Sequence, residues 1–326
     1  MTELPDDLAS LLPDHARGWE PPVELPSGHG VIAATPLRPV AEVRWASPDW
    51  PALAANPSTM YDGLPHPPVC WLTEEPVSVG LWSQLRAEHH RSGLWPLLVF
   101  HGGDGFGWYA EDESSLALLD PVTIMSEWWG TGAVPLTKFD RRILGVTKQK
   151  DWPGLAPPGK PWIDPDVLAD EIAEHMVAAE PARIALVPTA RSADLIGLTG
   201  WSATDYESYS PGALSAVLRT WHERFGAQVI GVGRGTLWVS VAAPPTTLEH
   251  AVHVAAEHFS FCPEVEPLAL FPEWAGLPKV ELAEDFLDKE SDRLTRTYGG
   301  KPDWHSMCLQ YASDVLGRHV WRFWWD

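Results

Sequence analysis

Residues 214–233 read LSAVLRTWHERFGAQVIGVG, and this stretch decides the class of fold. Leu214, Val217, Leu218, Trp221 and Phe225 recur at three- and four-residue steps, so they share one side of a helix spanning Ala213 to Phe225. Gly226 ends that helix, and Ala227 to Val232 follows as an apolar run suited to a buried strand. A second strand, Thr236 to Ala242, is reached across Gly233-Arg234-Gly235, which makes a hairpin. The glycines Gly231, Gly233 and Gly235 therefore precede a strand, whereas a dinucleotide site requires a helix at that point. Helix, glycine and strand in this order point to an α+β protein with a small, mostly antiparallel sheet.

The same unit recurs upstream. LWSQLRAEHHRSGLWPLLVF, residues 81–100, aligns without a gap on 214–233 and agrees at seven positions: Leu81, Leu85, Arg86, His89, Arg91, Gly93 and Val99. Ser78 to Arg91 accordingly reads as a helix closed by Gly93, preceded by a strand at Val69 to Leu72 and followed by one at Trp95 to Phe100. Two mixed α/β regions are thus expected, each carrying helix-Gly-strand units on its own small sheet. Residues 1–60 are an irregular Pro- and Trp-rich arm, with a possible strand at Gly30 to Ala34 and packing through Trp19, Trp45 and Trp50. Residues 61–135 form an N-terminal α+β domain. Residues 136–182 form a Pro-rich connector (DWPGLAPPGKPW, 151–162) and a helix with Asp164 as N-cap and Pro165 in its first turn. Residues 183–326 form a C-terminal domain that begins with a strand at Arg183 to Val187.

Downstream, Pro244-Pro245-Thr246 leads into a helix from Thr247 to Phe261. The tail alternates as a strand, with Trp321, Phe323 and Trp325 on one face and Arg322, Trp324 and Asp326 on the other. Gly200-Trp201, LRTWHERFGAQV (218–229), PPTTLEHAVHVAAEHFSFCPE (244–264) and WRFWWD (321–326) together resemble the bacterial domain-of-unknown-function family 4253. GLWPLL (93–98) and WPGLAP (152–157) resemble the upstream region of its longer members, and residues 272–318 look like an expansion. The resemblance implies no established activity, substrate or catalytic residue.

Composition narrows the classes of function. The chain of 326 residues has a formal net charge of −21. Residues 1–182 hold 26 acidic and 11 basic side chains, and residues 183–326 hold 18 and 12. Such a charge repels a phosphate backbone, so nucleic acid is not an expected partner, while basic proteins are steered toward it. No run of about 18 uncharged apolar residues exists, and Glu3, Asp6 and Asp7 occupy the N-terminus where a signal peptide needs positive charge. A cytoplasmic protein that engages no membrane is expected. Cys70, Cys262 and Cys308 are distant and odd in number, which suits reduced thiols rather than a disulfide framework. Nineteen tryptophans supply core mass, with some available to line a groove.

Candidate chemistry concentrates on the 247–261 helix. At 100° per residue, His250, His253 and Glu257 fall together opposite the apolar stripe Leu248, Ala251, Val252, Ala255 and Phe259. Two imidazoles and a carboxylate could hold a divalent metal such as Zn²⁺ or Fe²⁺, although the HExxH and HxxEH spacings are absent. A solvated polar face is the plainer expectation, and a metal cofactor is not favoured. Cys262 with His258 invites a nucleophile pair, yet a helix C-terminus raises a thiol pKa. HGGDGFG (101–107) lacks phosphate-loop spacing and a Lys, and no GxSxG elbow exists. Trp201, Trp221, Arg224, Trp324 and Asp326 form a candidate binding or structural cluster, in which Arg224 stacked on indole and bridged to the tail carboxylate would fasten the last strand.

Three functions remain open at this level. The first is a protein-interaction protein, immunity- or adaptor-like, whose acidic Trp-containing surface binds a protein partner, a basic one such as a toxin being the kind its charge suits. The second is a metal-dependent enzyme built on His250, His253 and Glu257. The third is a small-molecule sensor with a Trp-lined pocket. Enzyme activity is left open, with the balance against it.

Overall fold

The computed structural model describes residues 4–32, 68–103, 105–106, 110–131, 134–202, 210–265, 279–283 and 285–325. In chain order its strands and longer helices begin with β1 (Gly28–Ile32), β2 (Pro68–Thr73), α1 (Leu81–Ala87), β3 (Leu94–Val99), α2 (Pro121–Thr131), α3 (Lys138–Leu144) and α4 (Pro165–Ala179). They continue with β4 (Arg183–Pro188), α5 (Pro211–Phe225), β5 (Ala227–Gly233), β6 (Thr236–Val241), α6 (Leu248–Phe261), α7 (Phe286–Tyr298), α8 (Met307–Val315) and β7 (Val320–Trp324). The α+β class read from the sequence is the one observed.

The sheet is larger than expected. Seven strands join one sheet in the order β1-β2-β4-β3-β5-β6-β7, where two separate small sheets were anticipated. The reason lies in β3: it pairs antiparallel with β4 and, on its other side, parallel with β5. Every residue of β3, β5 and β6 is buried, so these strands read as continuous apolar runs rather than alternating ones. The pairing also uses the internal echo. Leu98 sits opposite Gly231 and Val99 opposite Val232, the same pairs that the gapless alignment of 81–100 with 214–233 produces. Both helix-Gly-strand units turn through a left-handed glycine, Gly93 at φ 68° and Gly226 at φ 59°, a conformation costly for any residue with a Cβ. The first helix is interrupted at Glu88, whereas α5 runs unbroken through its 15 residues.

The chain forms two compact units that share it in alternation: residues 1–119, 173–219 and 229–236 in one, and 120–172, 220–228 and 237–326 in the other. The divisions expected at 60, 135 and 182 do not separate them, because β2 and β3 find their partner in β4, more than 80 residues away in sequence. Of the arm, Trp19 is buried and β1 overlaps the possible strand at Gly30 to Ala34 over residues 30–32; residues 33 and 34, with Trp45 and Trp50, lie outside the described residues. Residues 272–318, read as an expansion, contribute the described helices α7 and α8.

In the first unit, α5 begins over a carboxylate. The absence of a Cβ at Gly212 lets the carboxyl group of Glu111 approach the start of the helix closely. Burial pushes the Glu111 carboxyl up to about 7, with the Gly212 amide acting in the opposite sense and Asp112 adding a smaller upward push. The folded state therefore favours the protonated form: its contribution is fully present below about 4.5, the ordinary value, and is lost as pH rises through about 7. Glu111→Gln removes that dependence. Melting temperature of the wild type measured from pH 4.5 to 8 should fall relative to the variant, and parallel curves would refute the assignment.

Candidate functional site

Several of the residues singled out in the sequence meet in the second unit, on three elements. Helix α5 carries Trp221 and Arg224 on its last turns, α6 carries Glu257 and His258, and β7 brings Trp321 and Phe323. Each is placed by ordinary local rules. Thr247 caps α6 by accepting a hydrogen bond from the His250 amide, which fixes the phase of the helix. The pleat of β7 turns Trp321, Phe323 and Trp325 inward and leaves Arg322 and Trp324 half-buried, as the alternation required.

Glu257 is at the centre. Its side chain is fully buried, and four donors converge on the two oxygens. Arg224 grips it with both terminal nitrogens, Nη1 to Oε1 at 2.7 Å and Nη2 to Oε2 at 2.8 Å. Trp221 Nε1 donates to Oε2 at 2.7 Å, and the Ala156 amide donates to Oε1 at 2.5 Å. Arg224 also donates to the Ala156 carbonyl and to Thr220 Oγ1, both at 2.8 Å, and its guanidinium lies 4.9 Å from the Phe225 ring centroid. A buried carboxylate is tolerated only when paired and fully hydrogen-bonded, and this one is.

Residues 152–162 are a strap laid over α5 and α6. Besides Ala156, Pro157 offers its carbonyl to His250 Nε2 at 2.8 Å. The Gly159 amide donates to the Arg224 carbonyl and the Trp162 amide to the Ala242 carbonyl, each at 3.0 Å. Gly159 is compulsory here, since a Cβ would stand 2.0 Å from the Ala243 carbonyl oxygen. A proline-rich segment suits such a strap, because its backbone loses little entropy on ordering. The connector anticipated at 136–182 is therefore part of the packed structure.

The three residues of the candidate metal set are engaged with protein groups. His250, His253 and Glu257 do share one side of α6, but Glu257 is buried there and the two histidines are half-buried. Glu257 has its acceptors filled by Arg224, Trp221 and Ala156, His250 faces the Pro157 carbonyl, and His253 donates to the Ile143 carbonyl. Burial is the main cause holding both imidazoles below the usual histidine range. Periodicity places these residues on one face but cannot foresee that another segment crosses it.

Behind Glu257 lies an aromatic core. Trp221 stacks on Phe323 with ring centroids 5.3 Å apart and meets Trp321 edge-on at 5.3 Å. His258 is enclosed by Trp221, Trp321, Phe323 and Tyr311, and shares a hydrogen bond of 2.9 Å with the Tyr311 hydroxyl. Burial holds its imidazole neutral, well below the usual range. Cys262 is no nucleophile: its thiol donates to the Trp324 carbonyl at 3.0 Å, and burial pushes it up to about 12. Cys70 and Cys308 are buried and likewise pushed up.

The expected fastening of the tail by Arg224 is corrected in its partners. The carboxylate comes from Glu257, and the tail is held by Trp321 and Phe323 against Trp221 and Phe225. Trp324 faces outward because the pleat assigns it there; Asp326 lies outside the described residues. Trp201 is buried in the other unit. Sequence reasoning missed Asp194, a second buried carboxylate, which pairs with Arg219 and Arg191. Arg219 and Arg224 lie about 140° apart around α5, so two arginines diverging from one helix toward different carboxylates was the available signal.

Residues 183–326 match the family model described as Domain of unknown function (DUF4253). Ala156, which completes the Glu257 site, lies upstream of that match. No curated protein and no solved structure matches the chain.

Proposed function

We propose, starting from a region at 183–326 that belongs to this family of unknown function, that the protein is an interaction protein binding a basic protein partner through an acidic surface bearing exposed tryptophan. The observation that carries this reading is Trp162. Its side chain stands 61% exposed, whereas Trp71, Trp82, Trp129, Trp201, Trp221 and Trp321 are fully buried. Trp is the residue type on which protein interfaces most often anchor, and a net charge of −21 favours a cationic partner.

The polar residues of the C-terminal region point away from chemistry. Arg224, Glu257 and Trp221 satisfy one another inside the core, and the Cys262 thiol is protonated at neutral pH. The expected location is the cytoplasm; no helix among the described residues is long and apolar enough to cross a membrane. The test is capture of basic proteins by the immobilised chain at low salt, with release at about 0.5 M salt, where the screening length falls below the ~8 Å of physiological solution. Salt-insensitive capture, or none, refutes the reading.

The metal-enzyme alternative makes its own forecast. If Glu257 is a structural anion, elemental analysis finds no stoichiometric metal in the purified protein. His253→Ala then costs about 1 kcal/mol, the net value of one hydrogen bond, with metal content unchanged. Stoichiometric metal lost on that substitution would restore the enzyme.

A further inference from the structure

We infer that a concavity beside Trp162 is the docking surface, and that it takes an arginine of an extended segment of the partner protein. This deepens the proposed interaction function and rests on it. The concavity encloses about 410 Å³ and is lined by Trp162, Leu168, Glu171, Val280, Glu281 and His319, together with Ile163 and Lys279. All of these belong to the second unit.

Its walls are rigid for reasons already visible. Trp162 is the last residue of the strap, pinned by its amide to Ala242. Glu171 is on α4, whose start is set by Asp164 accepting from the amides of Asp166 and Val167. Residues 279–281 are tied to the segment before β7: Lys279 bridges Arg318, and the Val280 amide donates to the Gly317 carbonyl at 2.7 Å. Gly317, at φ 69° with its missing Cβ 3.2 Å from Val280, allows that approach. His319 at the floor is buried, its Nδ1 2.7 Å from the Val241 carbonyl oxygen.

The chemistry of the rim selects the occupant. An exposed indole offers a π face, and Glu171 and Glu281 form no ion pair with another described residue. A guanidinium is planar, so it stacks on the indole while its edge donates to carboxylate; a lysine ammonium can do one of these well but not both. With Lys279 the lining carries one net negative charge, which matches one cation rather than a polybasic run. Val280 and Leu168 supply apolar contact for the methylene stem of the arginine.

The test is titration of the full chain, by calorimetry at low salt, with acetyl-Gly-Arg-Gly-Arg-Gly-amide and with its lysine and glutamate counterparts. Trp162→Ala, Glu171→Gln and Glu281→Gln change exposed positions, and near-ultraviolet dichroism confirms that each still folds. The arginine peptide should bind best, with affinity falling at least tenfold in Trp162→Ala and severalfold in each Gln variant, while Trp304→Ala, at another exposed indole, binds as wild type. If the wild type binds the arginine peptide and Trp162→Ala binds it equally, the docking surface is wrong while the interaction reading stands. If lysine and arginine peptides bind alike, selection by stacking is overturned. If neither cationic peptide binds but basic proteins are still captured, this surface is excluded. If neither peptides nor basic proteins bind, both readings fall.

Discussion

Glu257→Ala should destabilise the second unit by about 3–5 kcal/mol, the cost of leaving one member of a buried ion pair without its partner. Three groups lose their acceptor at once: the Arg224 guanidinium, Trp221 Nε1 and the Ala156 amide. For a unit of this size the melting temperature falls by roughly 6–20 °C. Arg224→Ala is expected to be as damaging, since it strands the carboxylate in the core. The distinguishing measurement is the double variant Arg224→Met with Glu257→Leu, which removes both charges and keeps the volume. It should melt well above either single alanine variant, because an apolar replacement of a whole buried pair is often close to neutral. If the single variants melt within about 2 °C of wild type, a shift worth under ~1 kcal/mol, Glu257 does not organise the core.

Removing residues 321–326 should abolish the fold of the second unit. Trp321 is 2% exposed and Phe323 0%, and each large-to-alanine substitution at such a site costs about 3–5 kcal/mol. Both rings pack on Trp221, and Trp321 also packs on Phe225. Together the two losses approach the whole ~5–15 kcal/mol of a typical domain. The expected signature is loss of near-ultraviolet dichroism and of cooperative melting, with Trp321→Ala alone showing an intermediate drop. Trp324→Ala serves as the contrast: that side chain is half-buried on the other face of the pleat, and its removal should cost far less. Unchanged melting after truncation would show that the aromatic core does not need its last strand.

How much was legible beforehand can be judged from these same residues. Trp321, Phe323 and Trp325 were placed on one face by alternation alone, since a period of two is a property of the strand and not of its surroundings, but which face is buried was decided by the packing against α5. The α5 stripe and the glycine that ends it were readable for the same reason, and so was the α+β class. The gapless echo between 81–100 and 214–233 even named the residues that pair across β3 and β5, although pairing itself could not be inferred from it.

The His250, His253 and Glu257 face shows where such reasoning stops. Periodicity put the three on one side of α6 but could not tell that Glu257 is buried there while His250 and His253 stay half-buried. A polar face is hydrated or buried according to what lies against it, and here a strap about 100 residues upstream brings the Pro157 carbonyl to His250 and the Ala156 amide to Glu257. Local sequence thus determined the elements, their faces and their ends, because these follow from dihedral preference and residue spacing. Only the tertiary structure decided that seven strands form one sheet, that Arg224 finds Glu257 rather than the tail, and that Trp162 is left exposed, because each depends on which distant segments the chain brings into contact.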